Sequence, residues 1–115
     1  MMKLIALVVK KPDLTLEQFQ RYWLETHTLF STKIAGLRGY RINIAIAGEP
    51  HTAPNHGSAE LWWDSPEAFR AGNASAQGVL AGDDTRHFAQ QVTFIYTEEF
   101  IVVPDPSVAD SRAAT

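Results

Sequence analysis

The sequence predicts an antiparallel β-sheet with helices packed on one face, an α+β sandwich. Two observations carry this. The apolar periods follow one another in the order β, α, β, β, α, β, and both helical runs open on strong start signals, Thr15 with Gln18 and Ser65 with Pro66.

The first strand is Lys3 to Val9, an aliphatic and β-branched run closed by the turn Lys10-Lys11-Pro12-Asp13. Thr15 and Gln18 form a capping box, and Leu14 and Phe19 take the positions of a hydrophobic staple. From there Leu16, Phe19, Trp23, His27, Phe30 and Ile34 fall within an arc of roughly 80° at about 100° per residue. That arc is the buried stripe of one continuous helix ended by Gly36, and His27 lies in its middle. After Gly39, Tyr40, Ile42, Ile44 and Ile46 alternate with Arg41, Asn43 and Ala45, a half-buried second strand. A loop from Gly48 to Gly57 leads to a third strand, Ser58 to Trp63. The second helix runs from Pro66 to Asn73, with further helical turns between Ala76 and Gln91 broken near Gly78 and Gly82. Val92 to Val103 is the last strand, and 104–115 reads as a mobile tail following a domain of residues 1–103. This order is the split β-α-β pattern of a ferredoxin-like sandwich. Strand one is apolar on both faces, Leu4, Ala6 and Val8 on one and Ile5, Leu7 and Val9 on the other. Two helices cover one face, so a homodimer packed sheet to sheet is expected to cover the second.

The composition, 45% hydrophobic and 20% charged over 115 residues, is that of one globular domain. The net charge of -3 includes no basic stripe, which argues against nucleic acid and membrane surfaces as partners. The absence of cysteine removes disulfides and thiolate chemistry. The apolar run Leu4 to Val9 stops at Lys10 with no A-x-A-like site, so a cytoplasmic protein is expected. Nucleotide-binding and serine-hydrolase motifs are missing, and the spacing of the four histidines suggests no metal site and no metal cofactor.

What remains is a cavity. An imidazole walled by apolar groups exchanges protons near neutral pH, which makes His27 either a general acid or base or a packed core histidine. Trp23 and Phe30, one turn either side of it, would form the wall. Tyr40 opens the second strand with its hydroxyl at the edge of the same cleft. Asn43 falls on the opposite strand face and reaches a cleft only through a bulge. Glu60 lies between apolar neighbours, where a carboxylate needs either an ion-pair partner such as Arg41 or a role in a site. Trp62 and Trp63 face opposite ways, one toward the cleft and one toward the dimer interface, with Trp62 assigned to the wall. His87 and Phe88 lie in the broken helical region that would close over the cleft. Aromatic walls with few polar groups suit a small apolar or aromatic metabolite.

The stretches "RYWLETH", "IAGLRGYRIN", "GSAELWWDSPEAF" and "DDTRHF" together resemble the EthD-like family of dimeric α+β barrel proteins, over residues 3–103. The resemblance implies the ferredoxin-like fold and the sheet-to-sheet dimer; no cofactor is expected. Similar proteins include muconolactone methylisomerase, cofactor-free decarboxylases and cyclases of aromatic polyketide pathways, while the wider superfamily includes cofactor-free monooxygenases. In isomerase-like relatives the residues matching His27 and Tyr40 belong to the active-site pocket. Two positions depart from the pattern: Leu29 replaces a common proline, and Ile44 a second histidine. The expectation is therefore a cofactor-independent lyase or isomerase that acts by proton transfer on an aromatic, polyketide or lactone-like molecule. The alternatives are a non-catalytic binding protein and a cofactor-free monooxygenase.

Overall fold

The structure, a computed structural model, describes residues 1–106. β1 (Met2–Lys10) leads into α1 (Leu16–Arg21), a π-helical segment (Tyr22–His27) and α2 (Thr28–Ser31). There follow β2 (Gly39–Ile44), β3 (Gly57–Trp63), α3 (Pro66–Ala74), α4 (Ala76–Thr85) and β4 (Ala89–Glu98). The strands form one antiparallel sheet in the order β2-β3-β1-β4, the ferredoxin-like arrangement the sequence predicts.

Local chemistry explains most of these boundaries. Thr15 accepts from the Gln18 amide at 3.1 Å, and the Gln18 side chain accepts from the Thr15 amide at 2.9 Å, so the capping box is complete. Ser65 caps α3 by accepting from the Ala68 amide, with Pro66 beginning the helix. Gly36, at φ 77°, turns the chain after α2 in the left-handed region.

The helical break expected near Gly78 and Gly82 lies instead at Ser75, and α4 runs through both glycines. Ser75 is extended, and its hydroxyl accepts from the Gly78 amide at 3.1 Å, which restarts the helix there. β4 begins at Ala89 and ends at Glu98, so 99–103 lies outside the strand expected there. Of the expected tail, residues 107–115 lie outside the described residues.

The expected single helix is wound differently in its middle. The Thr28 amide donates to the Trp23 carbonyl, five residues back, while its hydroxyl donates at 2.7 Å to the Leu24 carbonyl that an α-helical amide would use. The wider π turn advances less per residue, so side chains after His27 lag behind the α-helical phase. Ser31 is therefore buried in the position expected of Phe30, which stays half-exposed.

The core fills the space between these helices and one sheet face, with Leu4, Ala6 and Val8 of β1 beside Ala59, Leu61 and Trp63 of β3. Phe19, Trp23, Trp63 and Phe88 are its largest fully buried side chains. Trp23 fits only because β3 opens on glycine: a Cβ at Gly57 would lie 2.8 Å from the Trp23 ring and 2.7 Å from the Asn43 carbonyl. Gly57→Ala is expected to cost about 1–3 kcal/mol of overpacking, read as a lower urea midpoint at unchanged slope.

The opposite sheet face is mixed rather than apolar throughout. Ile5, Leu7, Val9 and Ile95 occupy its β1–β4 half. On the β2–β3 half, Lys3 pairs with Glu60 at 2.5 Å and with Glu99 at 3.4 Å. Asn43 donates to Glu60 and to Ser58, both at 3.1 Å, and Arg41 pairs with Asp105.

Candidate functional site

The last residue of the π segment, His27, is buried among Trp23, Phe88 and the sheet, with the Phe88 ring centroid 4.8 Å from its own. Its Nδ1 lies 2.9 Å from Oδ2 of Asp84, a buried carboxylate near the end of α4. The other oxygen of Asp84 accepts from the Tyr22 hydroxyl at 2.8 Å. Both carboxylate oxygens are thus engaged. The neutral imidazole carries its proton on Nδ1, donated to Asp84, and leaves a lone pair on Nε2.

That nitrogen makes no hydrogen bond among the described residues. No buried side-chain nitrogen or oxygen among the described residues lacks a partner, so Nε2 is reached by solvent. It is reached through a cavity of about 120 Å³ between the helices and the sheet, which His27 lines together with Trp23, Ser31, Tyr40, Trp63 and Phe88. A volume near 150 Å³ holds one benzene, so this space is about one ring in size.

Burial disfavours the imidazolium and pushes the His27 pKa below 6.5, while the Asp84 hydrogen bond and charge pull it partly back. The ring is neutral at pH 7. Burial and the Asp84 contact push the Tyr22 phenol up to about 12, so it remains the donor. Across the cavity, the Ser31 hydroxyl donates at 3.0 Å to the Tyr40 hydroxyl. Burial raises the Tyr40 pKa and donors at its oxygen, Ser31 and Trp23, offset part of this. The Tyr40 proton is left to donate. A lone-pair nitrogen and a neutral O–H donor thus share one apolar chamber.

The structure brings together His27, Tyr40, Trp23 and Phe88 of the residues singled out from the sequence. It puts the other five elsewhere. Phe30 is turned out by the π segment, and His87 is exposed against the outer side of Tyr22, at 6.1 Å between ring centroids. Trp62 lies on the face away from the helices, beneath the Lys3 ammonium at 4.6 Å, and Trp63 takes the cavity position instead. Which tryptophan faces inward depends on which sheet face the helices cover. Asn43 and Glu60 share that outer face, and no bulge moves Asn43 off it. The partner of Glu60 is Lys3 rather than Arg41; the ammonium holds the carboxyl below its usual range.

Sequence reasoning missed Asp84, which anchors His27 from behind, and the cavity-lining Ser31 and Trp63. Asp84 left a signal: with Ala81 and Phe88 it is spaced three and four apart, which puts a carboxylate on the inward side of α4. His56 has another task, accepting from the Lys10 amide at 3.1 Å. No cluster of three or more metal-ligating side chains occurs among the described residues. No helix among them is long and apolar enough to cross a membrane.

Residues 11–91 match the EthD domain. The chain belongs to the EthD family. It is similar to an EthD family protein from Bacillus halodurans, at 28% identity and TM-score 0.73 over 87% of this chain and 99% of that one. A dimeric ferredoxin-like protein of unknown function from Thermobifida fusca shares 17% identity, at TM-score 0.63 over 85% and 90% of the two chains. A structure described as an antibiotic biosynthesis monooxygenase shares 16% identity, at TM-score 0.60 over 87% and 99%. The latter two likenesses are likenesses of fold. No curated protein matches the chain.

Proposed function

We propose that this EthD protein is a cofactor-independent lyase or isomerase that moves a proton on a ring-sized aromatic, polyketide or lactone-like molecule. One observation carries the reading: a neutral, buried imidazole anchored at Nδ1 by Asp84 at 2.9 Å turns its free Nε2 into an apolar chamber shared with the Tyr40 hydroxyl. His27 would take a proton from a carbon next to a carbonyl and return it to a neighbouring position. Tyr40 would donate to the oxygen where negative charge develops. Imidazolium formed in the step would be held by the Asp84 carboxylate, and the apolar walls would strengthen both interactions by excluding water.

The test is carbon-bound proton exchange. A panel of butenolides and aryl β-diketones is incubated with the protein in D₂O, and loss of the enolisable C–H signal is followed by NMR. Exchange above the buffer rate supports the reading, and its absence across the panel with a folded protein sinks it. A monooxygenase would instead consume oxygen with its substrate.

The same reading includes a homodimer packed on the mixed sheet face. Ile5, Leu7, Val9 and Ile95 there lie outside the monomer's core, and Phe100, Ile101, Val102 and Val103 beyond β4 are exposed. The Thermobifida fusca protein is described as dimeric. Sedimentation equilibrium at micromolar concentration is expected to give twice the 12.8 kDa chain mass, and a monomer would refute the dimer.

A further inference from the structure

The cavity has one wall that is not closed by packing. Its floor is buried, formed by Leu4, Ala6, Ala59 and Leu61 of the sheet, and His27, Ser31 and Phe88 are buried as well. Three lining residues are exposed: Asn73 near the end of α3, Gly82 on α4 and Phe94 on β4, the last at 53%. α4 packs on α2, α3 and the π segment but makes only sparse contact with β4, which is an edge strand. The opening therefore lies between α4 and β4, with Asn73 at the end of α3 on its rim. At Gly82 an added Cβ would meet nothing within 4 Å, so this glycine is required neither by a close approach nor by its backbone angle. Its lack of a side chain keeps the rim clear.

We infer that the gap between α4 and β4 is the port of the site, that Gly82 and Phe94 set its width, and that the substrate is a hydroxyarene-like ring carrying an apolar chain that leaves through it. The inference rests on the reading of the cavity as a substrate site. A space of about 120 Å³ takes one ring and little else, so a larger molecule has to extend outward. The polar groups at the inner end decide the orientation. Nε2 of His27 accepts from a ring hydroxyl and the Tyr40 hydroxyl donates to its oxygen, while the walls around them are apolar. A chain para to that hydroxyl points away from His27 toward the rim, along the exposed Phe94 ring.

The test is a calorimetric titration of the whole chain with phenol and its 4-methyl, 4-propyl and 4-pentyl derivatives. Wild type should bind with affinity that rises with chain length, since each methylene laid against an apolar wall adds to binding. Gly82→Leu should leave phenol affinity nearly unchanged and weaken 4-pentylphenol by about tenfold or more. Phe94→Ala should flatten the dependence on chain length, and His27→Gln should weaken every member. The port is overturned, with the cavity reading intact, if Gly82→Leu treats all four ligands alike. Failure of wild type to bind any of them, or indifference of binding to His27→Gln, overturns the cavity reading and the port with it. Circular dichroism of Gly82→Leu against wild type establishes that the variant is folded, as expected where an added Cβ meets nothing within 4 Å.

Discussion

Replacement of His27 by alanine is expected to lower catalysed C–H exchange by roughly 10²- to 10⁴-fold, the usual contribution of a positioned general base. Circular dichroism should show the fold retained. The pH dependence separates this from a packing role. Burial lowers the His27 pKa, so the wild-type rate should fall on acidification with a midpoint below 6.5. Stability has the same sign. The unfolded chain takes up the His27 proton first, so this contribution is fully present above 6.5, declines as pH falls from 6.5 to the folded pKa, and is level below that. In His27→Ala both the rate limb and this stability step should be missing. A full rate limb in the variant would assign the proton transfer to another group.

Asp84→Asn should reduce the rate by between roughly 10- and 10⁴-fold, the upper figure being the cost of inverting the histidine tautomer in a Ser-His-Asp triad. The reason is donor and acceptor balance. Asp84 accepts on both oxygens, from His27 Nδ1–H and from the Tyr22 hydroxyl at 2.8 Å, and an amide has one acceptor oxygen, its other atom being a donor NH₂. If the amide oxygen keeps Tyr22, its NH₂ faces Nδ1, and the imidazole proton moves to Nε2. The base would then present a hydrogen to the substrate. Asp84 acts through His27, so its diagnostic readout is the pH profile. The carboxylate raises the His27 pKa against the larger effect of burial, so its removal should move the residual rate limb to still lower pH. A lower rate with an unmoved limb would reduce Asp84 to a structural contact. Asp84→Ala is a harsher change: it leaves a buried N–H and a half-buried O–H unpaired, at about 1–3 kcal/mol for each group fully desolvated.

Much of this site was legible in the chain because its determinants are local. The 3.6 period that places Trp23 and His27 on one stripe, the Thr15–Gln18 box that starts the helix and the alternation from Tyr40 to Ile44 each act over a few residues. Phe30 shows where such reasoning fails. The π turn depends on one threonine hydroxyl competing for the Leu24 carbonyl, a contest the hydrophobic period does not register. Trp62 fails for a different cause. Strand alternation states that two neighbours face apart, and is silent on which face the helices cover.

By itself, then, the sequence determined the order of elements, the helix starts, the placement of His27 on an inward stripe and the EthD resemblance. Only the tertiary structure decided what that imidazole meets. Asp84 is 57 residues away in the chain, on the inner side of a helix that Ser75 restarts, and Trp63 rather than Trp62 completes the wall. Caps and periodicities are enforced by neighbours along the chain. A partner for a buried proton is supplied by whichever element packs across the core, and that is set by the fold as a whole.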